Sequence, residues 1–461
     1  MGVMMYEENL IHHKNLNELK LMCSNSKIFY HKINVNSPVL PFITDYRNQT
    51  HFDRGFESIL GEFSRIYLNK SFDKDFEFDT ISRDILNEVI ISKDESDDYL
   101  KLIIDEYLLK EDGDINILHP YLFLYIPKIE GRRSNNETEI ARFMRDVFFK
   151  DTDVFNDFLN TDGANNVILI IILNNLPELI DKNVPSKYIS CLPFIGDVFR
   201  EDMEFIKENN DFLVKNLGDI FSFYYFYYCS QLVLKLNQPF ENVATDSPLE
   251  TYYLLDWERA SKNRNAIKNG YNLIKGANVY LFHNLNLIEE INTLSGTHGL
   301  FINQIADLIN DGGIDKEQVI FCLKDWIKYY EETHNLNNYY DCDDFQELAT
   351  LLKKDLKEGI RFQQSVSFER NLNTIAKKYF VKSRGQYGYV LNIDKKFLYL
   401  ITALCVKEDK IKLNDLFKEY ERRGLFFDRY SKEKIVELLN TWNLIDKKSD
   451  SGDAQYVKSI L

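Results

Sequence analysis

The pattern of apolar and polar positions is most informative in the last stretch of the chain, residues 394–461. Asp394 stands before apolar residues that recur at helical spacing, so its carboxylate is expected to cap a helix. Residues 410–413 alternate between polar and apolar side chains, as in a short strand. Asn414 is expected to cap a second helix, and Gly424 stands where a glycine commonly ends one. These signals predict a helix, a strand and a second helix in that order.

A third helix is expected to start at Ser431, because apolar side chains again recur on one side of the predicted helix. They are Ile435, Leu438, Leu439 and Trp442. Two strands at 444–448 and 454–460 are expected to follow, joined by a polar turn. Helix, strand, helix, helix and hairpin is the element order of a winged helix-turn-helix, an α+β module. We therefore predict such a module at the C-terminus.

A winged helix-turn-helix most often binds DNA through its third helix, and the overall charge of this stretch agrees with that use. Residues 376–461 contain 18 Lys and Arg against 12 Asp and Glu, whereas the whole chain has a net charge of −16. A basic module on an acidic body favours contact with an anion. The side chains expected to contact DNA phosphates are Arg422, Arg423, Lys434, Lys447 and Lys448.

Other charges in the same module argue against DNA. The outward side of the third helix is expected to carry Glu433 and Glu437, which would repel phosphates. The turn between the last two strands contains Asp450 and Asp453. The alternative is a protein-docking module, with Glu433, Glu437 and the distant Trp257 as candidate contacts. The sequence leaves both kinds of partner open.

The rest of the chain is expected to form a multi-helical body, so that the fold class is mainly α. A length of 461 residues allows two or three domains. With only 9 Pro and 19 Gly, few residues favour turns, which favours long helices. Residues 1–130 are predicted to form a mostly helical N-terminal region, 131–375 a helical core domain and 376–461 the winged-helix module. The stretch 362–370 is interpreted as a polar approach to that module. Residues 1–375 are expected to fold without it.

Two strongly apolar runs, 167–173 and 220–234, are expected to be core elements. Neither reaches the roughly 20 consecutive apolar residues that cross a bilayer, so no membrane association is expected. The first residues do not resemble a signal peptide, and the six cysteines lack metal-binding spacing. A cytoplasmic protein with buried thiols is the simplest interpretation.

Several motifs that mark nucleotide-binding, zinc and hydrolase sites do not occur in the sequence. The chain has no Gly-Lys dipeptide, which a Walker A loop requires, and neither HExxH nor GxSxG is present. The acidic residues 341–344 are expected to cap a helix starting near Phe345 rather than to hold a metal ion. We therefore predict a protein without catalytic residues, cofactor or metal.

Several stretches of the chain carry a resemblance to a known family. They are Leu254–Arg264 (LLDWERASKNR), Arg384–Tyr389 (RGQYGY), Ala403–Val406 (ALCV), Arg422–Gly424 (RRG), Phe427–Arg429 (FDR) and Lys448–Val457 (KSDSGDAQYV). On these residues the chain resembles the DNA phosphorothioation-dependent restriction proteins of the DptG (DndG) family.

The resemblance implies a role in antiviral defence in bacteria. A member of this family acts with two partners, DptF and DptH, in a restriction system that attacks DNA lacking phosphorothioate linkages. The resemblance also implies that nucleotide-binding motifs belong to the partners, and it assigns no active-site residue to this chain. A free-standing winged-helix transcription regulator and a divergent nuclease remain as alternatives.

Overall fold

The computed structural model describes most of the chain, and the statements below concern the described residues. These are 2–25, 28–35, 37–72, 102, 106–107, 109–110, 115–150, 153–156, 158–162, 164, 166–255, 264–385, 388–407, 409–447 and 455–461. They are mainly α-helical, as predicted. Within these ranges no helix is both long enough and apolar enough to cross a membrane.

Short turns connect most of the helices between residues 264 and 375. In chain order the helices are α1 (Gly2–Cys23), α2 (Lys32–Val35), α3 (Glu57–Tyr67), α4 (Ser134–Phe148), α5 (Val167–Asn174), α6 (Pro193–Ile206), α7 (Asn210–Leu236), α8 (Arg264–Lys268), α9 (Tyr271–Asn278), α10 (Leu281–Ser295), α11 (Ile302–Asn310), α12 (Lys316–His334), α13 (Phe345–Gly359), α14 (Phe362–Ile375), α15 (Lys395–Cys405), α16 (Leu413–Arg422) and α17 (Arg429–Thr441).

The strands are short. They are β1 (Ser24–Asn25), β2 (Ile28–Phe29), β3 (Lys70–Ser71), β4 (Ile180–Asp181), β5 (Leu254–Leu255), β6 (Val381–Ser383), β7 (Tyr389–Ile393), β8 (Lys410–Lys412), β9 (Ile445–Lys447) and β10 (Gln455–Lys458). β1 pairs with β2 and β3 with β4, both antiparallel. In a third sheet β7 pairs in parallel with β5 and antiparallel with β6. The fourth sheet is antiparallel, with β10 between β8 and β9.

The chain divides into two compact units. Unit 1 consists of Met1–Phe52, Tyr188–Val198 and Ser222–Leu461, and unit 2 consists of Asp53–Lys187 and Phe199–Phe221. The last 86 residues, 376–461, thus belong to unit 1. The three domain ranges given above stay a prediction.

Unit 2 is built around the packing of α3 against α4. Its core contains a cluster of phenylalanine rings, in which Phe63 lies 4.8 Å from Phe149 and 4.9 Å from Phe221, centroid to centroid. Phe155 packs edge-on against Phe149 at 4.9 Å. Such edge-to-face contacts stabilise an aromatic core beyond the burial of area alone.

Unit 1 is organised around α10, which packs against α1, α2, α13 and α14. Most of its side chains are buried, including the carboxylic acids Glu289 and Glu290. Burying a carboxylic acid is costly unless the acid is neutral or paired. Two buried acids are therefore unusual in a helix at the centre of a core. The long helix α7 also contributes to the core of unit 1 through its C-terminal half.

The two apolar runs differ in their burial. The run at 220–234 is buried throughout, which confirms it as core. The run at 167–173 forms α5, but Val167 and Ile170 are 70% and 40% exposed. A uniformly apolar run does not reveal which side of a helix faces the core, so the prediction for 167–173 was only half right.

Candidate interaction site

The C-terminal segment, residues 394–461, contains α15, β8, α16, α17, β9 and β10 in that order. α15 starts as expected, because the Asp394 carboxylate accepts a hydrogen bond from the Phe397 amide at 2.8 Å. The apolar sides of α16 and α17 are buried, and Leu416, Tyr420, Ile435 and Leu439 have no exposed surface. This packing fixes which side chains of the two helices face outward.

Two helix starts differ from the sequence prediction. α16 starts at Leu413, and the preceding Lys412 makes no side-chain cap, so the predicted cap by Asn414 is wrong. α17 starts at Arg429 rather than at Ser431, because the Asp428 carboxylate accepts a hydrogen bond from the Ser431 amide at 2.8 Å. An aspartate at this position is a strong helix cap, and it adds residues 429 and 430 to the helix.

Arg423 is fully buried, so its guanidinium is not available to a DNA phosphate as the sequence predicted. Its guanidinium donates to the Glu419 carboxylate at 2.7 Å and to the Glu419 carbonyl at 3.0 Å. A further hydrogen bond reaches the Leu404 carbonyl at 3.3 Å. The planar donors of arginine suit such a site, where the side chain ties α15 to α16.

The other predicted DNA contacts have different surroundings. Arg422 is half-buried and lies 3.8 Å from the Glu419 carboxylate. Lys434 lies 2.5 Å from the Glu437 carboxylate, and Lys447 is the last residue of β9, where it pairs with Gln455. Lys448 lies outside the described residues, as does Trp257, the candidate docking residue.

The outward side of α17 carries carboxylates that are already paired within the helix. Arg429 Nε donates to Glu433 Oε1 at 3.0 Å, and Lys434 Nζ donates to Glu437 Oε2 at 2.5 Å. Exposed pairs of this kind contribute only about 0–1 kcal/mol each to stability. They nevertheless balance the charge of this surface, so a phosphate would meet no surplus of cations here.

A groove of about 660 Å³ lies between α16 and α17. It is lined by Asn414, Phe417, Lys418, Glu421, Phe427, Arg429, Lys432, Glu433 and Val436. Phe417, Phe427 and Val436 provide apolar surface, and the other lining residues are polar or charged. Lys432 lies between the two kinds of surface, with its Nζ 3.1 Å from Glu421 and 5.0 Å from the centre of the Phe417 ring.

Sequence reasoning missed this groove. The signal was Val436, an apolar residue that lies outside the predicted stripe of α17 and is only half-buried in the structure. Phe427 gave no such signal, because it lies in the turn before α17, where helical periodicity does not apply.

The C-terminal segment is tied to earlier parts of unit 1. The Tyr227 hydroxyl of α7 donates to the Arg422 carbonyl at 3.0 Å, and the Tyr253 amide donates to the Phe426 carbonyl at 2.9 Å. Burial raises the pKa of Tyr227, so its hydroxyl remains a donor at neutral pH. These contacts argue against the expectation that residues 1–375 fold independently of the C-terminal segment.

A second polar cluster is buried in unit 1, where α10 and α12 pack together. Trp326 Nε1 donates to Glu290 Oε2 at 2.9 Å, and His31 Nε2 shares a hydrogen bond of 3.0 Å with the Tyr330 hydroxyl. Burial raises the pKa of Glu290 to about 8, against the opposing effects of Trp326 and Lys32. Burial likewise lowers the pKa of His31 to about 3. Both side chains are therefore neutral near pH 7.

Within the described ranges, no three His, Cys, Asp or Glu side chains converge to hold a metal ion. Asp341 and Asp343 instead pair with Lys324 at 2.7 and 2.6 Å. Asp344 caps α13 by accepting from the Glu347 amide at 2.8 Å, as predicted for this acidic stretch.

No protein-family model matches the chain, and no curated protein is significantly similar to it.

Proposed function

We propose that the chain is a non-catalytic subunit of a DNA phosphorothioation-dependent restriction system of the DptG (DndG) kind. In this proposal it acts in the bacterial cytoplasm with DptF and DptH against DNA that lacks phosphorothioate. The sequence stretches that resemble the family support this proposal. So does the element order of residues 394–461, which is compatible with a winged helix-turn-helix.

The proposed module docks on a protein partner rather than on DNA. The charge balance of α17 carries this part of the proposal: Glu433 and Glu437 are exposed, and each is paired with a cation of the same helix. A DNA-reading helix would present unpaired cations and amides to the major groove. With Arg423 buried as well, the phosphate contacts expected from the sequence are reduced.

The groove between α16 and α17 is the proposed docking point. Protein interfaces combine an apolar centre, enriched in aromatic residues, with a polar rim. Half-buried Val436, beside the largely buried rings of Phe417 and Phe427, supplies such a centre, and Lys418, Glu421 and Glu433 supply a rim with charges of both signs. A rim of mixed charge suits a polypeptide, which offers both signs, better than it suits a polyanion.

The test is co-purification from cells that express the tagged full-length chain with DptF and DptH. Val436→Glu places a carboxylate in the groove, whereas Asn440→Glu adds the same charge on α17 at a residue that does not line it. We expect the wild type and Asn440→Glu to retain a partner and Val436→Glu to lose it, with equal thermal stability. Retention by Val436→Glu, or a wild type that retains neither partner, would contradict the proposal.

A free-standing transcription regulator is the second candidate, favoured by the basic composition of residues 376–461. Its duplex DNA affinity would fall with salt at a slope of about −0.9 per neutralised phosphate. Arg422→Gln with Lys434→Gln would weaken binding, and Glu433→Gln with Glu437→Gln would tighten it. The docking proposal expects no effect of either double substitution on the binding of the full-length chain to a duplex.

A further inference from the structure

A row of cations follows the last turns of α13, far in sequence from the C-terminal groove. Lys353 and Lys357 are one helical turn apart, about 6 Å along the helix axis, and Arg361 follows just after the helix ends. Lys357 and Arg361 are exposed, and Lys353 is half-buried. Phe362 comes next, as the first residue of α14.

The two lysines are held by aromatic rings rather than by carboxylates. Lys353 Nζ lies 5.0 Å from the centre of the Phe240 ring, and Lys357 Nζ lies 4.9 Å from that of Tyr280. A ring face orients a cation but leaves its charge uncompensated. Within the described ranges, Lys353, Lys357 and Arg361 form no ion pair with any carboxylate.

The acidic residues in the same helical turns bind a neighbour other than the lysines. Asp355 and Glu358 accept hydrogen bonds from the side-chain amide of Asn338, at 2.9 and 3.1 Å. The acidic residues closest in sequence are thus engaged away from the lysines. A group of cations without carboxylate partners suits an anionic partner.

The positive charge also affects neighbouring side chains. Burial, and then Lys357, lower the pKa of His283 on α10 to about 4. Burial, and then Lys357, also lower the pKa of Lys353. In both cases burial is the larger cause, and the nearby charge of Lys357 adds to it.

Exposed aromatic surface accompanies these cations. The Phe362 side chain is 74% exposed and Tyr280 is 41% exposed. The start of α14 is held beside the turn between α9 and α10, because Ser365 Oγ donates to the Val279 carbonyl at 2.9 Å. Phe362, Tyr280 and the cations therefore belong to one surface, which combines positive charge with the exposed ring of Phe362.

We propose that this basic aromatic surface, formed by Tyr280, Lys353, Lys357, Arg361 and Phe362, binds a single strand of DNA. The three cations contact successive phosphates, and the Phe362 ring stacks on an unpaired base. A duplex keeps its bases stacked on one another and offers Phe362 no free face, which is why a single strand fits better. The surface lies apart from the groove between α16 and α17, so this inference goes beyond the proposed docking function and stands without it.

The test measures the affinity of the full-length chain for fluorescein-labelled oligothymidine and for a duplex of equal length, by anisotropy at several salt concentrations. We expect the single strand to bind more tightly. Lys357→Gln with Arg361→Gln should weaken its binding about tenfold at low salt. The double substitution should also make the salt slope shallower by about 1.4, since each phosphate on a single strand contributes about 0.7.

The matched control is Lys182→Gln with Lys215→Gln, which removes the same charge from two exposed lysines of unit 2. We expect less than a twofold change for the control. An equal loss in both double variants would show a general charge effect and would overturn the proposal.

Substitutions of Phe362 test the contribution of stacking separately from that of charge. Phe362→Leu keeps an apolar side chain but removes the ring, and should lower affinity for the single strand between about fivefold and a hundredfold. Phe362→Tyr restores a ring and should restore binding. Both variants should fold, because the side chain is exposed. No binding of oligothymidine by the wild type at low salt, or loss of a protein partner instead of DNA in Phe362→Leu, would refute the inference.

Discussion

The ring of Tyr227 lies so close to Gly424 that a Cβ atom at residue 424 would overlap it. Gly424 also has a φ of +74°, a conformation that residues with a side chain rarely adopt. The sequence suggested only the second reason for this glycine, as the residue that ends a helix. The contact with α7 adds the first, and it makes the turn between α16 and α17 part of the core of unit 1.

Gly424→Ala should therefore lower the free energy of unfolding by about 2–4 kcal/mol, through backbone strain and steric overlap with Tyr227. Gly385→Ala is the matched control, because its φ is +57° and no atom lies within 4 Å of an added Cβ. It should cost about 1 kcal/mol, from strain alone. Urea denaturation of both variants measures the difference, and equal losses would show that the ring contact contributes nothing.

Because Arg423 is buried and Arg422 is partly exposed, we expect substitutions of the two arginines to lower the free energy of unfolding by unequal amounts. Arg423→Ala removes the hydrogen bonds to Glu419 and Leu404 and should lower the free energy of unfolding by about 2–4 kcal/mol. Arg422→Ala removes a partly exposed side chain and should cost less than about 1 kcal/mol. A thermal melt of each variant tests this order, and the reverse order would mean that the two arginines have been assigned to the wrong surfaces.

The buried Glu290 predicts a pH-dependent stability. Its pKa is about 8 in the folded chain, against an ordinary value of 4.5, so between these values the folded state keeps a proton that the unfolded state has lost. The free energy of unfolding then falls as pH rises through this window, by up to about 1.4 kcal/mol per pH unit.

Between pH 7 and pH 8 the comparison with Glu290→Gln isolates this effect, because Glu289, with a pKa of about 7, and Lys235, with a pKa of about 8, titrate alike in both proteins. Over that interval the wild type should lose about 1 kcal/mol more than Glu290→Gln in urea denaturation. The exposed Glu317→Gln serves as control and should follow the wild type. Parallel curves for the wild type and Glu290→Gln would contradict the prediction.

A chain that ends at residue 375 should be poorly folded. It lacks β7, the parallel partner of β5, and it exposes the surface of Tyr227 that Gly424 covers. We expect residues 1–375 to aggregate or to melt well below the full-length chain, as seen by circular dichroism and size-exclusion chromatography. A monomeric fragment with an unchanged melting temperature would instead support the boundary predicted from the sequence.

Local signals in the sequence were sufficient where a single residue decides the structure. Asp394 and Asp344 cap their helices as predicted, since capping depends only on a side chain and the next three residues. The stretch 362–370, interpreted as a polar approach, is part of α14. Its buried side includes Ser365, whose hydroxyl donates to the Val279 carbonyl at 2.9 Å, so polarity there did not indicate exposure.

The candidate sites depend on the phase of helices and on contacts between residues distant in sequence. The periodicity of apolar residues reveals neither. Arg422 and Arg423 are adjacent in sequence, and only the phase of α16 decides which one faces inward. The groove needs Phe427 from a turn and Val436 from a helix, and the basic aromatic surface joins residues about 80 positions apart in sequence. Charge counts located the basic tail but not the pairing that neutralises α17.

The parallel pairing of β5 with β7 has a consequence for synthesis on the ribosome. All residues of unit 2 lie between 53 and 221, so its contacts can form while most of unit 1 has yet to be made. Leu254 and Leu255, by contrast, must wait for Asn392 and Ile393 before their backbone groups are paired. Contacts between residues so distant in sequence form slowly, and nascent chains that await them expose apolar surface to aggregation. Unit 1 should therefore be the part of the nascent protein that depends on chaperones.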